Sequence, residues 1–223
     1  MAAGQLRSNI RFSSPIVPFC WTSQGSGGLF GIFWYFRDKE EIQPSASHIR
    51  TLITDLTRVG GIDHIDVIAQ SMGAVGIVDA VDLLYNSNDK SILNRIRNII
   101  FASSDIDQGT VDRKYKPVVN SFENIKTTIY ACKNDIALNF SGRDLLNGHP
   151  RLGSTKKIYI RPRMVTIDIS RVNRSELGHS ALFQTRAIAN DLHYLLVDSK
   201  LPGERGLKST YAENGDNYWT MLG

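Results

Sequence analysis

The chain has 223 residues, of which 42% are hydrophobic and 22% charged, and its formal net charge is +4. That length can bury a core without disulfides or metal as staples, and the composition is too apolar for a disordered chain. Acids and bases interleave along it, which argues against a nucleic-acid-binding stripe and for a mixed, solvated surface.

Two cysteines, Cys20 and Cys132, each sit in an apolar run. They are expected to be buried small side chains, since no disulfide framework or zinc-type spacing exists. No apolar run has the length of a membrane span, and the N-terminus lacks the apolar core of a signal peptide. The expectation is a soluble chain, cytoplasmic by default, folded as a single domain over 1–223. Residues 200–223 read as a polar C-terminal tail.

In chain order, residues 15–21 ("PIVPFCW") read as a strand. Ile49, Leu52, Ile53, Leu56 and Val59 have the spacing of one helical face, with Ser45 or Ser47 as cap and Gly60 as stop. "IDVIA" at 65–69 reads as a buried strand, and "MGAVGIVDAVDLLYN" as the next helix. "IRNIIFASS" is a strand, and the helical stretch after it meets Pro117. "TTIYACKND" and "MVTIDIS" are further strands, separated by a loop-rich stretch from Phe140 to Lys157. "HSALFQTRAIANDLHYLLVD" reads as one amphipathic helix. Strands of this length alternating with helices define an α/β fold with a mostly parallel sheet.

In such a sheet, ligands bind outside the carboxyl ends of the strands. The polar residues there are Thr22, Ser23 and Gln24; then Ser71; then Ser103, Ser104, Asp105 and Asp107; then Asn134 and Asp135; and finally Arg171 to His179. A serine, several acids and a histidine therefore share one rim. A serine hydroxyl needs a base within reach, and the base needs an acid to orient it. Ser71 lies on a strand–helix elbow, in "DVIAQSMGAVG". Small residues at 69 and 73 suit a tight turn there, but they suit any βα turn equally well. His179 comes last in the chain, giving the order Ser…Asp…His of α/β-hydrolases. His48, His64, His149 and His193 read as structural or surface residues. Asp135 is the preferred acid and Asp105 the alternative; a turn or helix-cap role is the plain reading of either.

The chain resembles a group of bacterial α/β-hydrolases described as esterase/lipase-like, with substrate unassigned. The resemblance runs through "FCWTSQGS", "YFRDKE", "VIAQSMG", "FASSDID", "YACKNDIAL", "VTIDIS" and "GHSAL", in the family's order. It implies a three-layer sandwich with Ser71 as nucleophile, Asp135 as acid and His179 as base. Asp38 and Asp105 also match recurrent family positions. Gln70 stands where the family usually has histidine, and "WTS" where it has "WPS". Residues 2–14 resemble the end of the family's first large helix. The resemblance thus implies an N-terminally truncated chain, lacking upstream strands and an "HGYN"-like loop. The Met72 N–H would supply one oxyanion donor, and the other would belong to that loop. Either "PIVPFCW" then pairs directly with "IDVIA" or an edge is left open.

These readings converge on a serine hydrolase of the esterase/lipase type. It would take a small-molecule acyl ester through an acyl-enzyme and need no metal or organic cofactor. Acyl transfer to another acceptor would use the same triad. The alternative is an α/β-hydrolase fold kept as a binding module without catalysis. "LFGIFWYF" at 29–36 would line an acyl pocket or pack as a surface helix.

Overall fold

The computed structural model describes residues 2–20, 31–141, 149–173 and 181–222. Among the described residues, six strands form one sheet: β1 Ile65–Gln70, β2 Ile96–Ala102, β3 Lys126–Ala131, β4 Met164–Asp168, β5 Lys208–Tyr211 and β6 Asn217–Thr220. Their spatial order is β1-β2-β3-β4-β6-β5, all parallel except the β5–β6 pair. The expected α/β-hydrolase sandwich is what forms.

Alternation along the strands builds the two cores on either side of the sheet. On one side Ile99 and Phe101 of β2 pack with α2 (Gly31–Arg58), α3 (Gly73–Tyr85) and the helical run after β2. On the other, Ile100 and Ala102 pack with α1 (Ala2–Ile10) and α8 (Arg186–Leu196). The short helices α6 (Ile136–Ser141) and α7 (Ala181–Gln184) follow β3 and β4. Central β2 is buried along almost its whole length, whereas β1 is mostly half-buried. β1 ends the sheet, and among the described residues no strand pairs with its outer side.

Several expectations are corrected. Residues 15–20 form no strand: Pro15 and Pro18 have no N–H for a ladder, and Val17 is 51% exposed. Cys20 is consequently exposed, while Cys132 is buried as expected. Neither Ser45 nor Ser47 caps a helix. α2 begins at Gly31 and runs through Pro44, and the Ser47 hydroxyl donates to the Pro44 carbonyl three residues back. Pro117 does not break its helix either. α4 (Gln108–Thr110) passes through a π-helical turn, Val111–Tyr115, into α5 (Lys116–Ser121), and Pro117 falls at the start of α5, directly after the turn where the ladder has shifted to a five-residue bond from Lys116 N–H to the Val111 carbonyl. The single C-terminal helix is divided at Thr185 into α7 and α8.

The segment read as a polar tail carries the β5–β6 hairpin, whose β6 pairs with β4 through Ile167↔Trp219 and Asp168↔Thr220. Its alternation is too short, four residues per strand, to stand out in the sequence.

Candidate active site

Ser71 follows β1 directly and precedes α3. Its φ of 53° lies in the left-handed region that non-glycine residues rarely occupy. The turn is pinned on both sides. Ser71 N–H donates to the Ala102 carbonyl at 3.1 Å, and the Ser71 carbonyl accepts from Asp105 N–H at 3.1 Å and Ala74 N–H at 3.2 Å. A strained, over-determined serine between a strand and a helix is the geometry of a nucleophile elbow. Ala69 is 2% exposed, so a small side chain is what the packed strand end accommodates. Met72 has helical angles, φ −62° and ψ −20°, at the start of α3. Among the described residues no backbone carbonyl accepts from its N–H.

Ser103, the first residue beyond the neighbouring strand β2, is also left-handed, with φ 45°, as is Ser199 after α8, with φ 53°. The sequence gives no sign of this, because serine is common in any βα loop. The acids after β2 separate into two roles. Asp107 caps α4, accepting from Thr110 N–H at 2.8 Å and from the Thr110 hydroxyl at 2.5 Å. Burial works against its ionisation, but the Thr110 hydrogen bonds, with the charges of Arg113 and Arg151, hold its pKa below the ordinary carboxylate value. Asp105 is 7% exposed and forms an ion pair with buried Arg151, Nε to Oδ1 3.2 Å. An acid already committed to an arginine is a poorer orienter for a histidine.

Asp135 is fully buried four residues beyond the end of β3. Its Oδ1 accepts from Leu138 N–H at 3.0 Å, the bond that caps a helix N-terminus, here that of α6. The plain role is therefore real, and it also fixes the carboxylate in one orientation. His179 lies outside the described residues, as do Trp21, Thr22, Ser23, Gln24 and residues 25–30. Residues 31–36 form the first turns of α2. His193 is structural: its Nδ1 is 2.8 Å from the Ile10 carbonyl, joining α8 to α1. His64 sits at the opposite rim, before β1. Among the described residues, no cluster of histidine, cysteine and acid is fit to hold a metal ion, and no helix is long and apolar enough to cross a membrane.

One group of site residues was not anticipated. Residues 150–154 cross the carboxyl ends of β2 and β3 as a strap. Gln108 N–H donates to the Pro150 carbonyl, Leu152 N–H to Ile106, Gly153 N–H to Ser104, and Cys132 N–H to Gly153, all at 2.9–3.0 Å. A Cβ on Gly153 would stand 2.4 Å from Ser104 N, so only glycine fits this crossing. In the sequence the strap lies inside a loop-rich stretch without periodicity, and no local signal reveals it.

A mostly parallel sheet covered on both faces, with a left-handed serine between β1 and α3, is the architecture of the α/β-hydrolase class. The family model described as an alpha/beta hydrolase of unknown function (DUF900) matches residues 1–193, and the chain belongs to that family. No protein of curated function and no solved structure is significantly similar to it.

Proposed function

We propose that the protein is a serine hydrolase of the esterase/lipase type, acting on a small-molecule acyl ester through Ser71, His179 and Asp135. The observation that carries this reading is the left-handed Ser71 turn, held by three backbone hydrogen bonds. Strain of about 1–3 kcal/mol persists only where the surroundings over-determine it, and such residues cluster at active sites. Ser71 Oγ would attack the acyl carbonyl while His179 takes the hydroxyl proton. The Met72 N–H, at the N-terminal end of α3, would donate to the oxyanion. Collapse of the tetrahedral intermediate returns the proton from His179 to the leaving alcohol. Water then attacks the acyl-enzyme, giving a proton to His179; as the bond from the acyl carbon to Ser71 Oγ breaks, His179 passes that proton to Ser71 Oγ and the free acid departs. Asp135 would hold the imidazole in the required tautomer, and its buried carboxylate, oriented by the Leu138 N–H bond, is suited to a fixed role of that kind.

The test is labelling of the purified protein by a fluorophosphonate probe, in wild type and in Ser71→Ala. Covalent labelling of wild type that disappears in S71A is expected. A well-folded wild type that takes no label rejects the enzyme reading and leaves the fold as a binding module.

A further inference from the structure

We propose that Arg151 is a positioning residue for Ser71, acting through Asp105. This rests on the reading of Ser71 as nucleophile. The chain of contacts is short and buried throughout. Arg151 is 4% exposed, and its Nε stands 3.2 Å from Asp105 Oδ1. By distance this is an ion pair, although the N–H is not aligned for a hydrogen bond. Asp105 N–H donates to the Ser71 carbonyl at 3.1 Å. That carbonyl is the outer edge of the elbow, and its other partner is the first turn of α3. The guanidinium therefore sits one residue's backbone away from the strained turn.

The surroundings make the arginine a fixed point rather than a swinging side chain. The strap around it is bonded to segment 104–108 by three backbone hydrogen bonds, and the Arg151 carbonyl accepts from Gln108 Nε2 at 3.3 Å. Gln108 Nε2 also donates to the Lys157 carbonyl at 2.6 Å, tying the far end of the strap down. Gly153 approaches Ser103 and Ser104 so closely that the strap cannot slide. The strap thus clamps Ser103 and Ser104 directly, and reaches the Ser71 turn only through Asp105. A purely scaffolding pair would serve equally well on any other loop. This one is placed where the backbone of the proposed nucleophile needs a partner.

The experiment compares wild type with Arg151→Lys, Arg151→Met and the double variant R151M/D105N, measuring fluorophosphonate labelling rate, ester kcat and KM, and amide hydrogen exchange. The double variant removes both charges, so it is expected to fold even if R151M, which strands a buried carboxylate, does not. Labelling and kcat of the double variant are expected to fall by about 10²-fold, as for a small misplacement of a reacting group, with KM little changed. R151K should recover part of the loss. The Asp105 position's amide should exchange at least ~10 times faster in the double variant, while Ile100 in β2 is unchanged. Unchanged labelling in a folded double variant overturns the proposal while leaving Ser71 as nucleophile. If wild type itself takes no label, the enzyme reading fails, and the exchange of the amide at 105 decides the positioning claim alone: an unchanged rate overturns it.

Discussion

Two buried aspartate–arginine pairs serve different parts of the molecule. Asp105–Arg151 lies at the carboxyl rim beside Ser71, and Asp191–Arg205 lies in the layer formed by α8 behind the sheet. Both pairs are almost wholly removed from water. They differ in what they hold. Asp191 Oδ2 takes a bond from Arg205 Nη1 at 3.0 Å and a 2.5 Å bond from the Tyr130 hydroxyl, so its partners there are side chains that join β3, α8 and the turn before β5. Asp105 instead spends its backbone N–H on the Ser71 carbonyl. A buried pair is weak evidence of stabilisation in itself, because desolvation offsets the attraction. The rim pair is read as serving the elbow, and the rear pair as serving the registry of layers.

The largest expected effect concerns the rim's other acid. Asp135→Asn keeps an oxygen to accept from Leu138 N–H, so the α6 cap and the melting temperature should be preserved. If Asp135 orients His179, kcat should still fall by about 10⁴-fold, the consequence of losing the charge that fixes the imidazole. A kcat in D135N close to wild type would reduce Asp135 to its capping role and return the acid to Asp105.

At the rear pair the expectation reverses. Asp191→Ala leaves Arg205 buried without its partner and should destabilise the fold by about 3–5 kcal/mol in urea unfolding. The labelling rate of Ser71 in the folded fraction should not change. The triple variant Y130F/D191L/R205M removes the network altogether and should match or exceed wild-type stability. The pH dependence has a definite sign. Burial raises the Asp191 pKa above its ordinary 3.8, with Arg205 and the Tyr130 hydrogen bond opposing. The folded state therefore binds the proton more readily than the unfolded chain does. Asp191's contribution to stability is greatest at acid pH and falls as pH rises through the window above 3.8. Asp191→Asn should remove that slope. A labelling rate that drops with D191A would erase the distinction between the two pairs.

Strands β1 to β4 and the position of Ser71 were legible because they rest on local regularities: β-rich runs of five to seven residues, helical spacing, and a small–x–Ser–x–Gly turn. What escaped the sequence depends on distant contacts. Nothing near Arg151 foretells that it meets Asp105, because the pairing spans 46 residues and is made by an aperiodic strap. The Asp191–Arg205 pair was hidden differently: Asp191 occupies an ordinary helical position, and Arg205 lay in the stretch read as a tail. "PIVPFCW" misled because its apolar content outweighed the two prolines, which decide against a ladder.

The smallest effect returns to the rim. Ser103→Gly places at φ 45° the one residue without a penalty there. Relief of left-handed strain, about 1–3 kcal/mol, less the roughly 0.4–1 kcal/mol by which glycine stabilises the unfolded chain, should leave the fold about 1 kcal/mol more stable. For a chain of this size that corresponds to a rise in Tm of about 2–4 °C, measured by calorimetry. Two consequences separate the possible reasons for a strained serine at this strand end. If the strain is only the geometric cost of the strap crossing at Gly153, S103G gains stability and labels at the wild-type rate. If the stiffness of the Ser103 turn is what keeps its neighbour Ser71 in register, the same variant gains stability and labels more slowly, because a glycine admits conformations that the serine excludes. We expect the second outcome. Ser71 N–H bonds to the carbonyl of Ala102, immediately before Ser103, and Asp105, two residues after Ser103, bonds back to Ser71, so the stiff residue lies between both anchors of the elbow.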